Sequence, residues 1–149
     1  MSGSHDMFAA ARAAMDRAYA PYSNFHVGAC VRGESGTLYA GPNIENAAYP
    51  LGHCAESSAV AHLIAAGERR IIEVLVIGAP YDPGADDGAG TYLDDHGALC
   101  TPCGGCRQTL REFAGGATPA HVCGLDGVRR TFTMDELLPV AFGPENLEL

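Results

Sequence analysis

The chain has 149 residues, nine basic against eighteen acidic side chains, a formal net charge of −9, 47% hydrophobic residues and 18% charged. That balance excludes a disordered chain and suits one domain spanning residues 1–149 with its own core. Nucleic-acid binding rests on Lys and Arg neutralising phosphates, so neither a nucleic acid polymer nor an anionic membrane surface is the expected partner; no apolar run approaches the about 20 residues of a membrane span, and Met1 to Met7 lack the basic and apolar regions of a signal peptide, so a cytoplasmic location is expected.

Residues 1–6 read as a tag remnant or disordered start and are left out of the fold expectation. Residues 7–20 place Phe8, Ala11, Met15, Ala18 and Tyr19 on one helical face, with Pro21 as the stop. Residues 25–32 read as a strand, Glu34-Ser35-Gly36 as a turn and 37–40 as the returning strand. An irregular loop covers 41–52. A helix over 54–66 stops at Gly67. The apolar run 71–79 reads as a central strand buried on both faces. Residues 82–99, rich in Gly and Asp, read as a mobile acidic surface loop without the order of a calcium-binding motif. A helix over 103–114, strands at 120–125 and 128–133, and a helical turn at 135–138 complete the chain. Strands alternating with helices predict an α/β fold, a three-layer α/β/α arrangement around one sheet.

Three of the six cysteines stand at predicted helix starts. Cys103-Gly104-Gly105-Cys106 puts two thiols on one helical face, and Cys54 opens the other helix. Zinc takes thiolates tetrahedrally at about 2.3 Å, and three protein ligands leave one position open, the arrangement of a catalytic rather than a structural site. Glu56 follows Cys54 by two residues. Both reach one site only if Cys54 occupies the cap, where the backbone is not yet helical. There a carboxylate can take a proton from an acidified water and pass it to a leaving group; a Glu that is not a ligand, followed downstream by P-C-x-x-C, is the described design of zinc deaminases. The plainer alternative is buried filler cysteines or a structural zinc knot with His53 or Cys100 as fourth ligand.

At these residues the sequence resembles the small, homotetrameric, zinc-dependent cytidine deaminases. Pro21-Tyr22-Ser23-Asn24-Phe25-His26-Val27-Gly28-Ala29 resembles the family's P-Y-S-x-F-x-V-G-A. Asn43-Ile44-Glu45-Asn46-Ala47-Ala48-Tyr49 with Cys54-Ala55-Glu56 resembles N-[VI]-E-N-[AS]-[AS]-Y and C-A-E. Pro102-Cys103-Gly104-Gly105-Cys106-Arg107-Gln108 resembles P-C-G-x-C-R-Q, and Leu137-Leu138-Pro139 with Phe142 resembles the closing L-L-P-x-x-F. The resemblance implies a mixed central sheet and one Zn²⁺ per chain on Cys54, Cys103 and Cys106, with Glu56 as proton shuttle. It implies Asn43 and Glu45 on the ribose 3′-hydroxyl, the Ala55 backbone and Phe25 against the base, and Tyr49 and Phe142 acting across subunit interfaces of a homotetramer. Taken singly, Phe25 reads as core, Asn43 as a loop residue, Tyr49 as a packed aromatic and Phe142 as a tail anchor; their joint order carries the functional reading.

The sequence departs from the family in two places. Ser57 stands where many members carry Arg after C-A-E. Zinc with three thiolates is formally −1, so Arg107 and the helix N-termini are the expected compensation. The acidic segment before Pro102 is also longer than expected. The resemblance implies deamination of cytidine and deoxycytidine in pyrimidine salvage. The competing readings are deamination of another 4-aminopyrimidine nucleoside such as a blasticidin-type antibiotic, and a catalytically silent zinc scaffold; deamination of a polynucleotide conflicts with the charge.

Overall fold

The computed structural model describes residues 3–147. Six strands form one mixed sheet: β1 (Phe25–Gly33), β2 (Leu38–Pro42), β3 (Ile71–Asp82), β4 (Thr91–Tyr92), β5 (Pro119–Gly124) and β6 (Gly127–Thr133). Their order is β2-β1-β3-β5-β6, with β4 paired to the far end of β3. Only β3 and β5 run parallel. The helices are α1 (Gly3–Met15), α2 (Ala55–Ala65), α3 (Gly104–Phe113) and the single turn α4 (Met134–Leu137). Among the described residues no helix is long and apolar enough to cross a membrane.

The sheet has a core on each face. Met7, Ala11 and Met15 of α1, spaced four apart, pack on Cys30, Leu75, Ile77 and Cys123. On the other face α2 and α3 bury Ala55, Ala59, Leu63 and Leu110 against Ala29, Val31, Val74 and Val76. β3 supplies both cores from alternate residues, which is why its sequence is apolar without a break. The expected three layers follow. Cys30 and Cys123 are the buried fillers of the α1 core.

The topology brings two helix starts to one place. A short turn joins α2 to β3, so α2 runs against β3 and begins beside the C-terminal end of that strand. α3 is the crossover between the parallel strands β3 and β5, so it too begins at that end. Gly67, with φ +92°, closes α2: its N–H reaches Ile64 O at 3.0 Å and the Glu68 N–H reaches Leu63 O at 3.2 Å.

Three expectations need correction. Gly3 to Asp6 are the first turn of α1, and Asp6 accepts a hydrogen bond from Arg32 at 3.0 Å; Met1 and Ser2, the rest of the tag-like stretch, lie outside the described residues. α1 ends at Met15, well before Pro21, because Tyr19 is drawn into a bridge with Ile44: its N–H donates to Asn43 O at 3.1 Å and its carbonyl accepts from the Glu45 N–H at 2.8 Å. Tertiary pairing, not proline, ends that helix.

The third concerns the acidic segment, which is exposed at Asp82, Asp86, Asp87 and Asp94 as expected of a surface loop but is fastened at β4 and at Asp95. β3 runs on to Asp82 and turns back as β4. The Tyr92 hydroxyl donates to Asp16 Oδ1 at 2.9 Å, Arg12 lies over the Tyr92 ring at 5.0 Å, and His26 stacks on Tyr81 at 4.3 Å. Asp95 pairs with Arg129 at 2.7 Å.

Gly28 permits the close approach of α1 to β1. A Cβ there would meet the backbone O of Ala11, and the backbone N and Cβ of Met15 at 2.7 and 2.9 Å. Gly28→Ala is expected to destabilise the fold by about 1–3 kcal/mol in urea unfolding, the usual penalty of overpacking. An unchanged midpoint would show that α1 does not dock on β1 in this way.

Candidate active site

Cys54 and Cys103 are the N-cap residues of α2 and α3. Both are extended, with φ/ψ of −71°/153° and −66°/168°. That is the conformation that lets Cys54 and Glu56, two apart, face one place. Cys106 lies one turn into α3. The three Sγ atoms lie within 4.8 Å of one another, and Cys54 and Cys103 are 3.8 Å apart. Zinc–sulfur bonds of about 2.3 Å in a tetrahedron put sulfurs about 3.8 Å apart, so the spacing fits a tetrahedral thiolate site and is far too long for a disulfide.

The donor chemistry also calls for a cation. Burial pushes the Cys54 and Cys106 thiols and the Glu56 carboxyl above their usual ranges; the Glu56 charge raises both thiols further, while a hydrogen bond with Cys106 offsets part of the rise at Glu56. Only Cys103 is lowered, chiefly by a hydrogen bond from the Cys106 backbone N–H. A divalent ion would reverse this balance at the thiols, since a coordinated thiol is deprotonated outright. His53 and Cys100 line the adjoining cavity but do not join the three thiols, the one such group among the described residues. The residues therefore fit Zn²⁺ on three protein ligands with the fourth side open.

Glu56 is 4% exposed, the one charged side chain in the described core. Together with Cys54, Ala55 and Cys103 it lines a cavity of about 430 Å³, within the usual size of small-molecule sites. Phe25, Asn43, Glu45 and Tyr49 line the same cavity. A second hollow of about 300 Å³ adjoins it through Glu45, Tyr49 and Gly52.

The polar wall is held before any ligand arrives. Asn43 accepts from the Val27 N–H at 2.9 Å and donates to Phe25 O at 3.0 Å, stitching its loop to β1. An amide keeps a second hydrogen and a second lone pair after those bonds. Glu45 accepts from the backbone N–H groups of Tyr22 and Ser23 at 2.9 and 3.1 Å. Burial would raise its carboxyl; the bonds from Ser23 and Tyr22 outweigh that and hold it below the usual range. It is thus an ionised acceptor suited to a hydroxyl. Ala55, fully buried, sits in the first turn of α2, where backbone N–H groups have no helical partner.

Three expected residues lie outside this cavity. Phe142 is 59% exposed, and its carbonyl accepts from Gln108 Nε2 at 2.8 Å. Arg107 donates to Pro102 O and to Leu137 O, both at 2.8 Å, tying the approach to Cys103 onto the end of α4. Ser57 is half-buried in the first turn of α2. The sequence reading did not single out Val27, Ile44, Gly52 or Thr101, which also form the wall. For Val27 the signal was present: it shares a face with Phe25 on β1, two residues on. For Thr101 the only signal was its place beside Pro102-Cys103.

Comparison with known proteins agrees with this geometry. Residues 1–122 match the family described as the cytidine and deoxycytidylate deaminase zinc-binding region. A cytidine deaminase of Sporosarcina psychrophila is 36% identical over 141 residues, covering 95% of this chain and 92% of the relative. One from Halalkalibacterium halodurans is 34% identical, covering 90% of this chain and 89% of the relative. Among solved structures, cytidine deaminase from Burkholderia pseudomallei superposes with a TM-score of 0.79 at 34% identity, covering 95% of this chain and 100% of that one. The Mycobacterium tuberculosis cytidine deaminase gives 0.71 at 32% identity, covering 93% and 96%. With a zinc-fitting thiol triad at two helix caps, a buried Glu beside it and these relatives along nearly its whole length, this chain belongs to the cytidine and deoxycytidylate deaminase zinc-binding family.

Proposed function

We propose that this protein hydrolyses cytidine and deoxycytidine to uridine and deoxyuridine, releasing ammonia. The observation that carries this reading is the buried carboxyl of Glu56 beside three thiols that fit zinc, at the wall of a cavity of nucleoside size. Cys54, Cys103 and Cys106 would hold Zn²⁺, which when bound would supply a water acidified for attack at C4 of the ring. Glu56 stands where it can move protons for the reaction: one from the attacking water to N3 as the C4–O bond forms, and the second to the C4 amine, which leaves as ammonia as the C–N bond breaks and C4=O forms. Burial keeps the Glu56 carboxyl above its usual range, which suits a group that must hold a proton near neutrality. Phe25 packs on the base, the Ala55 N–H contacts it, and Asn43 and Glu45 bind the sugar hydroxyls. An ionised Glu45 favours a neutral nucleoside over a phosphorylated one. Nothing in a silent scaffold would require Glu56 to be buried beside the thiols.

The assembly we propose is a homotetramer. Phe142 lies outside its own chain's cavity and is exposed, and Tyr49, at the cavity mouth, is 74% exposed. Both are then completed by neighbouring copies. Arg107 acts by positioning the Cys103 approach, and Ser57 leaves the site without an adjacent cation. A cytoplasmic enzyme of pyrimidine salvage suits this reading, since all six cysteines are unpaired, as reducing compartments favour.

Chelation is expected to abolish the ultraviolet change on cytidine and added Zn²⁺ to restore it; full turnover in metal-free protein would overturn the zinc reading. Glu56→Gln is expected to keep one zinc per chain while kcat falls by about 10²–10⁴-fold or more, as loss of a proton shuttle implies. Light scattering should give about four times the 15.5 kDa chain mass. A monomer of full activity would remove Tyr49 and Phe142 from the shared site.

A further inference from the structure

The acidic segment after β3 is held by one arginine of β6, on the far side of the parallel pair β3 and β5. β6 contains one residue too many for its partner: Val122 pairs with Arg130 and Cys123 with Val128, so Arg129 has no partner on β5. Such a bulge re-aims a side chain. The Arg129 guanidinium is only 17% exposed and makes three bonds. Nη1 donates to Asp95 Oδ2 and to Ala98 O, both at 2.7 Å, and Nε donates to Asp126 Oδ1 at 2.8 Å.

Both ends of this contact are built. Asp95 is 9% exposed at its side chain, the least exposed carboxylate among the described ion pairs, and it also accepts from the Gly97 N–H at 3.1 Å. On the other side, the guanidinium lies against Gly124, where any Cβ would strike its Cζ, Nη2 and Nε. The clipped turn leads directly into Leu99, Cys100, Thr101 and Cys103. Cys100 and Thr101 line the nucleoside cavity, and Cys100 Sγ would lie 2.5 Å from a Cβ at Gly78, so it is pressed onto β3.

We propose that Arg129 is a positioning residue for the nucleoside site: its grip on Asp95 and Ala98 fixes the strap 95–103 and hence the Cys100–Thr101 wall. It acts through the strap and does not touch substrate. The inference rests on the nucleoside deaminase reading above for its kinetic consequence, though not for its structural one. Cys103 is held separately by α3 and by the Arg107 bond to Pro102 O, so zinc retention is independent of the clip.

The test compares wild type with Arg129→Ala, Arg129→Lys, Asp95→Asn and Gly124→Ala, measuring zinc content, steady-state kinetics on cytidine and amide hydrogen exchange. Arg129→Ala is expected to keep one zinc per chain and to lose about 10- to 100-fold in kcat/KM, the scale of a misplaced wall. The loss should fall mainly on KM, because the wall holds ground and transition states alike. Amides of 95–103 should exchange faster while those of α2 and α3 do not. Arg129→Lys should restore only part of the effect, since an ammonium lacks the planar fork. Asp95→Asn and Gly124→Ala should shift KM in the same direction and serve if Arg129→Ala folds poorly. Kinetics within twofold of wild type in all variants, with only a lowered melting temperature, would overturn the proposal. A wild-type protein that leaves cytidine unchanged would overturn the functional reading instead, and the exchange of 95–103 would still decide whether Arg129 holds the strap.

Discussion

Three thiols and a carboxyl crowd one place, Cys54 and Cys103 at its open side and Cys106 and Glu56 buried behind them, and so many negative groups at that spacing call for a cation among them. Most of the architecture follows from meeting that constraint. Two helices must start at the same point, so that caps in extended conformation present Cys54 and Cys103 while the first turns carry Glu56 and Cys106. Here the two starts meet because α2 and α3 both run antiparallel to β3, α3 as the crossover of the parallel β3–β5 pair in a sheet otherwise antiparallel. The single parallel ladder among the named strands is thus where α3 delivers Cys103 and Cys106.

The nucleoside side of the cavity obeys a different rule. Asn43 and Glu45 spend hydrogen bonds on backbone atoms of β1 and of the loop before it, so this edge of the cavity is fixed by the chain itself. Preorganised acceptors lose less entropy on binding than free ones. On the proposed reading, the overall acidity and an ionised Glu45 disfavour anionic ligands at this edge.

Sequence reading located the chemistry better than the connections. The zinc cysteines and Glu56 were legible because metal coordination permits few spacings, β3 because a short unbroken apolar run bounded by polar residues suits a strand buried on both faces, and α2 because its apolar residues recur at helical spacing. The early end of α1 was not legible: it depends on Tyr19 pairing with Ile44, a contact between segments far apart in sequence. β4 was hidden for the same reason. A two-residue strand has no periodicity, and what holds it is Tyr92 on Asp16 and Tyr81 on His26. Asp95 read as one solvated acid among five, since nothing local marks the partner on β6 that buries it.

The sheet also divides the molecule into two chemical compartments. Everything that touches the cavity belongs to the face of α2 and α3, whereas α1 packs through Met7, Ala11 and Met15 onto the reverse face. Substitutions in separate, non-contacting clusters act nearly additively. The α1 layer is thus a reservoir of thermal tolerance that selection or design can refill with better-packed side chains, leaving Glu56 and the thiols on the other side of the strands undisturbed.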